Sequence, residues 1–313
     1  MKKLLLMAAG AALLFTACKK ANIEPEQPAS DDLKVYIVDT VRLNRLNLDG
    51  TGSKTIISQA IGNYRSTYIA DVSANSPVTK IAYWLRKGNA GAYTSEIHLA
   101  AADGSNDKVI KSVTANDFIP GIIKIGNNGL IYFTYTSGTS FVSQFYSIKE
   151  DGSAETKVSP SSFTGIKDIS ADGKLIATVY TSGGKTNLVC MDLSGDGGFG
   201  SIKYSENSIA GMLSARIMPD GKKMIGVYTD GTALKCRVVD LVAKTASDVT
   251  ISTNIPSSIY NFSLSVAPDN DKILLVASGS SVSTTTYIYS ISAGKIVQQF
   301  SNVNKEVYQG YIF

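Results

Sequence analysis

The chain has 313 residues, with 30 lysines and arginines against 26 aspartates and glutamates, a net charge of +4 and a single histidine. Interspersed charges of both signs give no basic patch of the kind that nucleic acid requires, and a lone histidine leaves no histidine pair for a zinc site. Beyond the amino-terminal segment the chain is rich in Ser, Thr, Tyr, Val, Ile and Gly, with no stretch at helical period, which points to one all-β domain.

The chain opens with Lys2 and Lys3, an apolar run from Leu4 to Phe15, and then Thr16-Ala17-Cys18. A charged start, an apolar middle and a small-residue cleavage site make residues 1–17 a signal peptide. The apolar run is too short for the ~20 residues of a membrane-spanning helix. Leu14-Phe15-Thr16-Ala17-Cys18 resembles a bacterial lipobox. The resemblance implies that Cys18 becomes the first mature residue and carries a diacylglyceryl group, and two or more acyl chains hold a protein stably on a bilayer. Lys19 follows where an inner-membrane retention signal has Asp, so the expected address is the bacterial outer membrane, in either leaflet. Loss of residues 1–17 removes two lysines and no acid, leaving +2.

Residues 18–33 carry two prolines, several charges and little apolar bulk, the composition of a flexible stalk. From residue 34 a unit recurs. Its aligned runs begin at Lys34, Lys80, Leu130, Leu175, Met224 and Ile273, at intervals of 45 to 50 residues. Asp-Gly turns divide the units, at Asp49-Gly50, Asp103-Gly104, Asp151-Gly152, Asp172-Gly173 and Asp220-Gly221. Such turns need positive φ, which Gly and Asp adopt at low cost. A period near 48 with four strands per unit, labelled A to D, is the signature of a propeller blade.

Met218-Pro219-Asp220-Gly221-Lys222-Lys223-Met224-Ile225 and Ile97-His98-Leu99-Ala100-Ala101-Ala102-Asp103-Gly104-Ser105 resemble the two halves of the TolB-type repeat, also called the PD40 or WD40-like repeat. The resemblance spans residues 34–313 and implies a six-bladed β-propeller of four-stranded blades. It implies the fold rather than TolB's role in its envelope complex. The first unit has no strand A of its own, whereas Tyr308-Gln309-Gly310-Tyr311-Ile312-Phe313 repeats the phrase that opens strand A elsewhere, as in Phe163-Thr164-Gly165-Ile166. The carboxy-terminal strand is therefore expected to pair with the first blade and seal the ring, leaving no open sheet edge.

Few residues suggest chemistry. His98 occupies a strand C column filled by Asn44, Tyr146, Val189 and Arg237 in other blades, which reads as a packing position rather than a catalytic or metal-binding one. Cys190 and Cys236 lie on the same face of neighbouring blades, so only one can point to their shared interface, and free buried thiols are expected. No hydrolase elbow or phosphate loop is present, and no catalytic residue, metal ligand or cofactor is assigned. Asp71 and Asp168 fall in channel-lining A strands, leaving a glycan hydrolase or lyase as the alternative reading. The B–C turns carry Tyr135, Tyr180 and Tyr228, with Trp84 at the similar place in blade two. These four form a candidate ligand face for a protein partner or a glycan, since such rings present a flat apolar surface with a polar tip. The D–A connections add Tyr64, Phe118, Phe163, Tyr260 and Tyr308, which are expected to fill gaps between blades. The function expected is that of a monomeric, non-catalytic binding module.

Overall fold

The Asp-Gly turns fold as their composition requires. In the C–D turns, Asp49, Asp103 and Asp151 each accept a hydrogen bond on Oδ1 from the backbone N–H two residues on, at 2.8–2.9 Å. Gly104 has φ +85°, and a Cβ there would lie 1.6 Å from the Ile56 carbonyl oxygen of the preceding blade. Only glycine lets this turn tuck against its neighbour.

A computed structural model describes residues 33–313 except 63, 65, 90, 115–117, 138–141, 161, 184, 196–199, 208–210, 254–258, 280–283 and 302–306, with the side chains of 137, 259–261, 279, 307 and 308 also left out. The signal peptide, Cys18 and the stalk up to residue 32 lie outside the described residues. The first meander is β1 (Val35–Asp39), β2 (Arg42–Leu46) and β3 (Lys54–Ser58). Blade two is β4 (Ser66–Ala74), β5 (Lys80–Asn89), β6 (Ala92–Ala101) and β7 (Lys108–Thr114). Blade three is β8 (Phe118–Ile125), β9 (Leu130–Ser137), β10 (Ser143–Lys149) and the short β11 (Thr156–Lys157). Blade four is β12 (Ile166–Ile169), β13 (Leu175–Ser182), β14 (Lys185–Asp192) and β15 (Ser201–Asn207). Blade five is β16 (Met212–Ile217), β17 (Lys223–Asp230), β18 (Ala233–Asp240) and β19 (Thr245–Ser252). Blade six is β20 (Ile259–Val266), β21 (Lys272–Gly279), β22 (Thr285–Ser290) and β23 (Lys295–Ser301), and the chain ends in β24 (Val307–Ile312).

The six sheets are four-stranded and antiparallel, and no helix occurs among the described residues. The first has the order β24-β1-β2-β3. Val35 pairs with Ile312, Tyr36 with Tyr311 and Ile37 with Gly310, and Lys34 and Phe313 exchange both backbone hydrogen bonds. The carboxy-terminal strand thus completes the first blade, as its phrase predicted, and becomes the innermost strand there.

The core is divided among the blade interfaces. Six apolar clusters each join two neighbouring blades: Trp84, Ile97 and Leu99 with Ile123 and Phe133 between blades two and three, for example, and Leu274 and Val276 with Val35, Ile37 and Ile312 at the closure. Each fully buried aliphatic or aromatic side chain stabilises by ~1.5–3 kcal/mol. A blade removed would therefore strip two interfaces at once. Cys190 belongs to the cluster between blades four and five and Cys236 to the one between five and six. Both are free and buried, so the argument from sheet faces is borne out.

Candidate functional site

An antiparallel blade places its A–B turns at one end of the ring and its B–C turns at the other. A cavity of about 940 Å³ occupies the central channel and opens at the A–B end. The inner strands supply Asp71, Lys124, Asp168, Arg216, Ser265 and Tyr311 to its wall, and the turns supply Asn127, Ala171, Pro219 and Asn270 to its mouth.

Asp71 and Asp168 both lie in this wall, and both clasp one blade to the next. Asp71 Oδ2 accepts the Ile123 N–H at 2.8 Å and its Oδ1 accepts the Tyr311 hydroxyl at 2.7 Å. Asp168 Oδ2 accepts the Ile217 N–H at 2.8 Å. Burial raises the Asp71 carboxyl above its ordinary range, with the Arg216 charge pulling the other way without reversing it. Ser73 and Ser265 repeat the clasp, receiving Ile125 N–H at 3.0 Å and Ile312 N–H at 3.2 Å. On the channel side of β8, β16 and β24, side chains of the neighbouring blade thus take up backbone N–H groups that would otherwise be bare.

Basic residues share the wall. Arg216 donates from Nη1 to the carbonyl of Lys167, and to that of Ala215 at 3.4 Å. Lys124 Nζ lies 3.7 Å from Asp168 Oδ1. Burial, aided by the adjacent guanidinium, lowers Lys167 from its ordinary value. Sequence reasoning missed these cations. Their signal was a charged residue inside a short inner strand, just beside the aspartate column at Lys167-Asp168 and just before the turn phrase at Arg216-Ile217-Met218-Pro219.

The proposed aromatic face is corrected in part. Trp84 is 0% exposed and packs edge-on against Phe118 and Phe133, with ring centroids 5.8 and 5.7 Å away. It is the fifth residue of the ten-residue β5 rather than the head of a turn, so its ring points into the interface with blade three. Tyr228 is likewise buried, in the cluster between blades four and five. Tyr135 is half-buried, stacked on Phe118 at 4.1 Å and Tyr146 at 5.1 Å, and its hydroxyl donates to that of Tyr146. Tyr180 is half-buried near the end of β13. The four side chains form no continuous exposed surface, and they lie away from the mouth of the large cavity. Of the D–A set, Phe118 and Phe163 are buried and Tyr64 is 43% exposed. The side chains of Tyr260 and Tyr308 lie outside the described residues.

His98 is a packing residue with charged company. It stacks on Tyr83 with ring centroids 4.7 Å apart, and its Nδ1 and Nε2 lie 3.1 Å from Asp107 and 3.2 Å from Glu96. Both contacts are hydrogen bonds only when the ring carries both protons. Tyr83 and Gln59 donate to the second oxygen of Asp107, so the cluster ties blade two to the end of blade one. No group of three or more His, Cys, Asp or Glu placed to hold a metal ion occurs among the described residues.

Among solved structures, TolB from Acinetobacter baumannii superposes with a TM-score of 0.65 at 17% identity, covering 91% of this chain and 67% of that one. The fold is TolB-like. A chain of the nidogen/laminin complex shares the TolB-like ring at a TM-score of 0.60 and 10% identity, covering 90% and 98%. An oligogalacturonate lyase in complex with manganese does so at 0.54 and 16%, covering 83% and 74%. No family model matches, and no curated protein sequence matches. These superpositions show a TolB-like propeller fold and leave its ligand to the chemistry of the channel.

Proposed function

We propose that the protein is a lipoprotein acylated on Cys18, held at the bacterial outer membrane by its acyl chains, and that its TolB-like propeller is a monomeric, non-catalytic module binding an envelope glycan or protein partner. The observation that carries the binding reading is the channel: an open cavity of about 940 Å³ with charged and apolar walls. Ligand pockets span ~300–1,000 Å³ and place a few polar groups in a largely apolar wall. The lipobox residues Leu14 to Cys18 support the anchor, and the stalk supplies the reach from lipid to ring.

The lyase among the solved neighbours suggests a glycan as ligand class. Catalysis is left out of the proposal because Asp71 and Asp168 are engaged as clasps. A paired acid and base need two carboxyls facing one bond across a substrate, whereas these belong to β4 and β12 with β8 between them.

The test uses the soluble form, residues 22–313, on a glycan array and in pull-downs from envelope extracts. Saturable retention of a defined glycan or envelope protein supports the module; retention of neither contradicts it. Cys18→Ala should shift the full chain from the membrane to the soluble fraction, and unchanged membrane association would contradict the anchor.

A further inference from the structure

The chain enters the ring at the mouth of the channel. Leu33 is buried in the closure cluster with Leu274 and Ile288, Lys34 exchanges both backbone hydrogen bonds with Phe313, and Phe313 lines the cavity. β1 is the B strand of its blade, paired between the inner β24 and β2, and a B strand starts at the A–B end. The link from Cys18 therefore reaches the ring at the A–B end, and the packing of Leu33 fixes the point of attachment.

Lengths decide which end that attachment brings to the lipid. Cys18 and Leu33 are fifteen residue steps apart. They can separate by at most ~50 Å, and a polar chain of that length relaxes to a span of roughly 20 Å. β13 takes eight residues to cross from the A–B turn to the B–C turn, a height of ~25 Å at ~3.3 Å per residue. With the mouth toward the bilayer, the relaxed span is enough. With the mouth turned away, the ring stands between its own attachment point and the lipid, and the link must stretch past the height of a blade before it reaches the membrane. The mouth end also suits a hydrated headgroup layer, since Asn127, Asp172 and Asp220 on its turns are exposed and polar and keep their water there.

We propose that the ring is held with its channel mouth toward the bilayer that carries the acylated Cys18, so that the A–B end is its membrane-facing surface. This rests on the reading of Cys18 as the lipid anchor. The channel then receives its ligand from the membrane side, and the B–C end faces away.

The test is energy transfer from a dye on the acylated full chain to acceptor-labelled lipid in phosphatidylethanolamine–phosphatidylglycerol vesicles. The dye is carried in turn by Asn127→Cys at the mouth, by Val242→Cys on the C–D turn of blade five at the same end, and by Lys185→Cys at the B–C end. All three positions are exposed, whereas Cys190 and Cys236 are buried and stay unlabelled. Transfer from the two mouth-end dyes should agree, and should exceed that from Lys185→Cys roughly 2-fold for a height difference of ~25 Å. Equal transfer from both ends overturns the proposal. More transfer from Lys185→Cys also overturns it, and would seat the opposite end, with its exposed Ile61 and Tyr64, on the lipid. If the acylated chain does not sediment with the vesicles, the anchor fails and the orientation with it. If it sediments but the dyes depart from the expected order, the anchor stands and the orientation alone is wrong.

Discussion

The Tyr311 hydroxyl donates to Asp71 Oδ1 at 2.7 Å, joining residues 240 positions apart. The same hydroxyl accepts the Val72 N–H at 3.2 Å, so one side chain of the last strand locks the first blade to the second. Tyr311→Phe leaves a fully buried carboxyl oxygen without its donor, a loss of ~1–3 kcal/mol. Denaturant unfolding should show a lowered midpoint with an unchanged slope. Deleting residues 306–313 should go further and abolish cooperative unfolding, because it bares the inner edge of β1 and the apolar face of blade six. A truncated protein that melts like the full chain would contradict the closure.

Trp84 and Tyr180 should part company on mutation. Trp84→Ala empties a fully buried site between blades two and three and should cost ~3–5 kcal/mol. Tyr180→Ala, at a half-buried strand end, should cost within ~1 kcal/mol. Thermal melts of the two variants check this, and equal losses would show that Trp84 is not the interface plug described.

Asp107 should govern part of the acid limb of stability. Burial alone would raise its carboxyl, but hydrogen bonds from His98, Tyr83 and Gln59 outweigh it and hold the group below its ordinary value. A carboxyl depressed in the folded state stabilises fully above the unfolded value of ~3.9 and loses that contribution as pH falls through the folded one. Asp107→Asn should lower stability near neutrality and flatten the fall in acid, read as unfolding midpoint against pH. A parallel pH profile would sink the assignment.

Thiol chemistry should be silent in the native ring. Burial pushes the Cys190 thiol up to about 12 and raises Cys236 as well, so almost no thiolate exists at neutral pH. In the 22–313 form, a disulfide reagent should label neither cysteine until denaturant is added, when both react. Fast native labelling would contradict the burial.

Much of the architecture was legible because a propeller writes its period into its turns. Asp-Gly pairs at fixed offsets marked the blades, and Tyr308 to Phe313 carried the phrase of an inner strand at the chain's end. The site was less legible. Trp84 aligned with turn tyrosines by position, but β5 runs to Asn89, and side-chain direction follows strand register rather than sequence likeness. Asp71 and Asp168 were found as channel residues, while their occupation by the next blade's N–H groups depends on contacts some 50 residues apart. Arg216 and Lys167 were passed over because a lone cation in a strand carries no motif, and only the ring brings them together.

The most direct test of the channel as the binding site is a plug at its mouth. Asn127 is exposed on the A–B turn of blade three and lines the opening. Asn127→Trp in the 22–313 form should leave the melting temperature unchanged and abolish retention of whatever glycan or envelope protein the wild type captures. Retention undiminished by the plug would place the ligand elsewhere on the propeller and contradict the account.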